Sequence, residues 1–235
     1  MDSLSRTRAR SAGTLYLVTH VTSIGAVAAY AAGAIALGVT LEFVLAVACA
    51  ATGVILWTLL AESGSARATA FLSLRAIEAS VILAGALPLV GAILDSPAPT
   101  GAAMSVHTAA FLVGQGLVIA VNTVILGSLL WTSHAVPRAL AGLAVAGGTV
   151  VFLSDLGQLW AVIPLNGPVA AVAALPIFAF EIWFAIRLIV VGVRTRATVA
   201  ADEDAIPIGS VGNAVRWHWM SRSSRGFGWS GSALS

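Results

Sequence analysis

Six apolar stretches, each long enough to cross a bilayer and each parted from the next by a short polar break, constrain this chain more than any motif it carries. A hydrocarbon core of about 30 Å needs roughly 20 helical residues. Stretches of that length are read at 13–36, 41–61, 68–94, 104–131, 138–162 and 168–192. The breaks ESGSAR at 62–67, DSPAPTG at 95–101, TSHAVPR at 132–138 and IPLNGP at 163–168 carry turn chemistry. Pro137 suits a first helical turn, where its missing N–H costs nothing. Composition agrees: 59% of residues are hydrophobic, 9% are charged and the mean hydropathy is +0.97. A water-soluble domain devotes about a quarter of its residues to charge. The expected fold class is therefore all-α, an integral membrane six-helix bundle whose solvent is lipid.

The arginines set an expected orientation. Arg6, Arg8 and Arg10 precede the first stretch, Arg67 and Arg138 lie in alternate breaks, and Arg194 and Arg196 follow the sixth, while 37–40, 95–103 and 163–167 hold no basic residue. The positive-inside rule then places both termini in the cytoplasm, with the bundle in the cytoplasmic membrane. The implied organisation is an N-terminal cytoplasmic arm at 1–12, a six-span domain at 13–194 and a flexible cytoplasmic tail at 195–235, polar and rich in Gly and Ser. A cleaved signal peptide is the lesser reading of the first stretch, which is long and interrupted by Thr14, Tyr16, Thr19 and His20. Trp57, Trp131 and Trp160 fall near stretch ends, where amphipathic rings favour the interface. The net charge of +2 is spread along the chain ends and breaks, so no nucleic-acid partner is expected. The partners implied are the lipid bilayer and a small solute or proton, with a second copy or another membrane protein as further candidates.

Charge inside the apolar stretches is the best handle on function. FLSLRAIEASVILAG at 71–85 sets Arg75 and Glu78 three positions apart, on one helical face. A charge at mid-span costs about 2.5–3.5 kcal/mol even on insertion scales, so something must offset it. Counting about 1.5 Å per residue from the expected ends brings His20, Asn122, Asp155 and Glu181 toward the depth of that pair. The expectation is a polar core of His20, Arg75, Glu78, Asn122, Asp155 and Glu181. Its three carboxyls outnumber its one fixed cation, and low dielectric with like-charge repulsion disfavours full ionisation. A bound proton or cation would restore balance, as a proton-linked transporter or relay requires. The competing reading is a non-transporting membrane module, a regulator or partner subunit, in which the same residues, with Gln115 and Gln158, hold helices together. His107 is a candidate at the outer mouth. Pro88 and Pro176 each remove a backbone donor mid-helix, and such breaks often line transporter cavities.

Other chemistries find less support. The histidines do not converge at one depth, so neither a metal nor a haem site is expected, and no cofactor is implied. There is no HExxH, GxSxG or phosphate-binding glycine loop, which leaves an intramembrane enzyme as the weakest alternative. Cys49 stands alone in an apolar run and reads as a small packing residue. The clusters AYAAGAIALG and LAGLAVAGG read as close helix contacts.

Taken in series, ARSAGTLYLV at 9–18, LSLRAIEA at 72–79, SVHTAAFLVGQG at 105–116, ILGSLLWTSHAVPRALAGLAVAGG at 125–148 and LPIFAFEIWFAIRLIVVGV at 175–193 resemble a bacterial membrane family known as domain of unknown function 4386. The resemblance implies a helical multi-span protein and supplies no activity. Arg75, Glu78, His107, Ser133, Pro137 and Glu181 are the positions where the chain looks like the family pattern. Its first outer loop is shorter than the resemblance leads one to expect, and the tail beyond about 197 lies outside it.

Overall fold

A computed structural model describes residues 3–95 and 101–193, and the expected tail lies outside them. The chain forms α1 (Ser3–Ala31), α2 (Ile35–Leu60), α3 (Ser65–Asp95), α4 (Gly101–Phe111), α5 (Ile119–Ser133), α6 (Arg138–Leu159) and α7 (Pro168–Val190). A π-helical segment, Leu112–Val118, joins α4 to α5, so Gly101–Ser133 runs as one rod. Six helices are long and apolar enough to cross a membrane, as the six stretches imply, and the described residues contain no strand. The chain is a multi-pass membrane protein.

The spans differ from expectation at their ends. α1 begins at Ser3, so residues 3–12 are helical and continuous with the first span, and Ala9 and Ala12 are fully buried. It stops at Ala31, before a turn in which Gly33 takes φ +74°, a conformation that costs a side-chain-bearing residue more. α2 starts at Ile35, six residues before the expected boundary, and α6 ends at Leu159. Pro137 is the N-cap of α6, not part of its first turn, and its carbonyl accepts from the N–H groups of Leu140 and Ala141. Pro168 occupies the first turn of α7. Pro88 and Pro176 lie within helices that run on through them.

Each span packs on its neighbour in sequence, and α1 closes the ring against α7. Glycine makes the close approaches possible. A Cβ on Gly147 would lie 2.8 Å from the backbone nitrogen of Ile177 in α7, and one on Gly148 would lie 2.7 Å from the carbonyl oxygen of Ala120 in α5. α6 thus touches both neighbours backbone to backbone, as small residues allow in membranes.

The outside of the bundle is apolar: Val21, Leu87, Leu153 and Val172 are each more than 60% exposed. Trp57, Trp131 and Trp160 are exposed at or near helix ends. Polar groups turn inward, with Arg75, Glu78 and Asn122 at most 1% exposed. This is the distribution that lipid selects. The interior divides along its length. At the end bearing Arg10, Arg67 and Arg138, one large apolar core packs Tyr16, Leu56, Phe71, Leu130, Leu140 and Phe184. Toward the opposite end the spans separate around cavities.

Replacing Gly147 with Val should cost about 1–3 kcal/mol through overpacking, since the added group meets backbone and not a flexible side chain. Thermal unfolding of the purified protein in detergent checks this; an unchanged midpoint would mean that α6 and α7 separate freely.

Candidate functional site

Arg75 lies about a third of the way along α3, and α2 reaches it through Gly53, where a Cβ would come within 2.9 Å of the arginine's own Cβ. Its Nη1 donates to both oxygens of Glu78, at 3.2 and 3.1 Å, one helical turn further along the same face. Nη2 stands 3.7 Å from Oε1 of Glu181 on α7. Tyr16 and Phe71 lie against the guanidinium, with ring centroids 5.0 and 5.6 Å from Cζ. Those two rings belong to the apolar core, so they form a floor between the charges and the arginine-rich end.

Glu78 gathers donors from three other segments. Asn122 Nδ2 donates at 3.1 Å from α5, Gln115 Nε2 at 3.5 Å from the π segment, and the Cys49 thiol at 3.5 Å from α2. Gly114 lets the π segment lie beside α3, with the carbonyl of Glu78 as a near neighbour. The widened turn places Gln115 between glycines 114 and 116, and π turns of this kind frequently occur at functional sites.

Glu181 is less surrounded. Its Oε2 lies 3.3 Å from Nε2 of His20, whose Nδ1 is 2.8 Å from the carbonyl oxygen of Tyr16. A carbonyl only accepts, so Nδ1 carries a hydrogen. The contact between Nε2 and Glu181 then needs one further proton lying between them, on the imidazole or on the carboxyl. With it, Arg75, Glu78, Glu181 and His20 sum to zero charge; without it they sum to minus one.

Of the six residues expected in the polar core, the structure brings five into this contact network and leaves Asp155 apart. Asp155 lies seventeen residues beyond the start of α6 and Glu78 thirteen beyond the start of α3, an offset of about 6 Å away from the arginine-rich end. It accepts from Gln158 Nε2 at 2.6 Å, and Gln158 Oε1 in turn accepts from the backbone of Asn166. His107 is not with the central group either. Its Nε2 lies 2.7 Å from Oε1 of Glu42, and the Tyr30 hydroxyl donates to Oε2 of the same carboxylate at 2.8 Å.

Glu42 is the residue that sequence reasoning missed. A span starting at 41 puts it at the interface, where a carboxylate costs little; the helix starts at Ile35, which carries it about 10 Å inward. A lone acid inside GVTLEFVLAV was the available signal. Cys49 also needs correction, because it is a donor to Glu78 as well as a small buried residue.

Two cavities connect these groups. One, of about 240 Å³, is lined by His20, Arg75, Glu78, Gln115 and Glu181. A larger one, of about 660 Å³, reaches Tyr30, His107, Asp155, Gln158 and Asn166 toward the opposite end. Ile24, Phe111, Gln115 and Ala174 line both.

Fold and interior together define a class: a multi-pass α-helical membrane protein that keeps an ionic network at mid-span. Residues 11–192 match the family model described as Domain of unknown function (DUF4386), and the chain belongs to that family. No curated protein and no solved structure matches it.

Arg75→Gln should destabilise the protein by about 3–5 kcal/mol, because it strands two buried carboxylates, and pairing it with Glu78→Gln should recover a substantial part of that loss. Unfolding of the two single variants and the double variant in mixed micelles measures the coupling. Strictly additive effects would show that the 3.1 Å contact carries none.

Proposed function

We propose that the protein is a proton-linked transporter of small solutes, with the His20–Glu181 pair as the proton-exchanging element and the two adjoining cavities as the solute path. The observation that carries this reading is the one-sided access to the charged network. Cavities run to it from one end, whereas Tyr16, Phe71 and the apolar core close the other. A site reached from a single side is one state of an alternating-access cycle. The pair supplies the coupling, since gain or loss of one proton changes the charge that the site offers a solute.

A second reading has its own support. Glu78 receives donors from α2, α3, α5 and the π segment, and a knot of this kind holds helices together whether or not anything moves. Flux separates the two. In proteoliposomes carrying a pH-sensitive dye, amines, amino acids, sugars and organic acids are added in turn under an imposed pH gradient. Transport predicts proton movement with at least one class, abolished by Glu181→Gln in protein that remains folded. If Glu78→Gln and Glu181→Gln lower the folded yield and leave every flux unchanged, the network is structural.

We also propose that both termini face the cytoplasm and that the bundle lies in the cytoplasmic membrane, because every arginine-bearing break is at one end. Cys49 is buried, so added cysteines report alone. Leu165→Cys should react with an impermeant maleimide on intact cells, and Glu62→Cys only after permeabilisation. The reverse pattern inverts the topology.

A further inference from the structure

The larger cavity has a wall at odds with its lining. Most of that lining is apolar, including Val27, Phe111, Leu112 and Val151. Set into it is Asp155, 7% exposed, with one oxygen held by Gln158 and the other, Oδ2, without a hydrogen-bond partner among the described residues. Oδ2 rests against Gly116, where a Cβ would lie 2.5 Å away, so the glycine makes room for the carboxylate. The neighbouring Ser154 Oγ, also in the cavity wall, is buried and likewise lacks a partner. No arginine lines this cavity, and His107 and Tyr30, its other ionisable groups, are both engaged by Glu42. The cavity wall therefore holds one uncompensated acid and two unpartnered oxygens just beneath an apolar surface.

A small inorganic cation would leave its hydration behind for walls that offer few replacement oxygens. A sugar or an amino acid would leave most of its polar groups unpaired. An anion would meet a carboxylate and no cation. What matches is an apolar body bearing one positive nitrogen: the body displaces water from the wall, the N–H groups reach Asp155 and Ser154, and the Phe111 and Tyr30 rings suit a cation nearby. The flank of the cavity suits the same solute. Ile24 and Val27 on α1, and Ala171 and Ala174 on α7, line the cavity and are exposed on the apolar outside of the bundle.

We propose that this cavity is a binding site for a compact lipophilic amine, with Asp155 as its counter-charge. The proposal names a solute class for the transport reading and rests on it for its physiological sense. Binding is measured without flux, so the two fail separately.

The test uses three probes of one shape: 1-adamantylamine, 1-adamantanol and 1-adamantanecarboxylate, in equilibrium dialysis against the full chain in neutral phosphatidylcholine nanodiscs, with empty nanodiscs subtracted. The amine should bind saturably, at about one per chain, and at least about tenfold more tightly than the alcohol or the carboxylate, the effect of one charge-assisted contact. Asp155→Asn, with helicity checked by circular dichroism, should bring the amine level with the alcohol, while Glu62→Gln, in the break between α2 and α3, should keep amine binding. If Asp155→Asn does not fold, Ala171→Trp, which fills the cavity from its exposed wall, should abolish binding. Equal affinity for amine and carboxylate, tightest binding of the alcohol, or amine binding unchanged in folded Asp155→Asn or Ala171→Trp would overturn the proposal.

Discussion

A guanidinium withdrawn from water in the middle of a membrane bundle must be answered on its faces and its edge, and that requirement organises this protein. Arg75 is 1% exposed. Its edge is met by Glu78 from its own helix and Glu181 from α7, and its faces by Tyr16 of α1 and Phe71 of α3. Gly53 makes room for it on α2. One side chain thereby fixes the relative placement of four helices. The demand then propagates, because Glu78 cannot have its lone pairs satisfied by Arg75 alone. Asn122 and Gln115 supply the rest, which brings the fourth span into the same network.

The lengthwise asymmetry of the interior follows from what each half has to pack. At the arginine-rich end the spans contribute aromatic and leucine side chains that interdigitate, with Ala9, Ala12, Ala141 and Ala144 allowing close approach. At the other end α7 presents alanines at 170, 171, 173 and 174, too small to fill the space between α1 and α6. The π segment sits where the two regimes meet. It spends one extra residue per turn to turn Gln115 toward Glu78, and Gln115 lines both cavities. Return of that segment to α-helical register would rotate Gln115 away from the carboxylate, so a small backbone change there alters the wall between the cavities.

Much of the fold was legible because lipid imposes a simple rule: backbone polar groups must be satisfied within each span, so length and hydropathy mark the helices. The same rule made Arg75, Glu78 and Glu181 conspicuous. What composition does not carry is where a helix starts. An error of six residues at the head of α2 was enough to hide Glu42 as a surface carboxylate, and an end three residues earlier in α6 lifted Asp155 out of the depth expected for it. Nor does helical periodicity announce the π turn, since a single widened turn in LVGQGLV leaves the hydropathy unchanged. Cys49 was hidden for a different reason. Its role depends on a partner 29 positions away, and nothing local distinguishes a thiol that donates to a carboxylate from one that packs against leucine.

The two glutamates of the central network are not equivalent, and the difference lies in their neighbours. Every group around the carboxylate of Glu78 is a donor: Arg75, Asn122, Gln115 and the Cys49 thiol. A proton placed there would have to displace a donor already in position or turn an amide oxygen of Asn122 or Gln115 toward it. Glu181 has a longer contact to Arg75 and one to His20, and its side chain is 9% exposed beside the inner cavity. A proton on its carboxyl has an acceptor in the imidazole, and a proton on the imidazole has one in the carboxylate. The network therefore joins a closely held pair, Arg75 with Glu78, to a pair, His20 with Glu181, whose contact needs a shared proton. Fixed charge at the centre with a proton shared at its edge is the arrangement on which the proposed coupling of a solute to a proton rests.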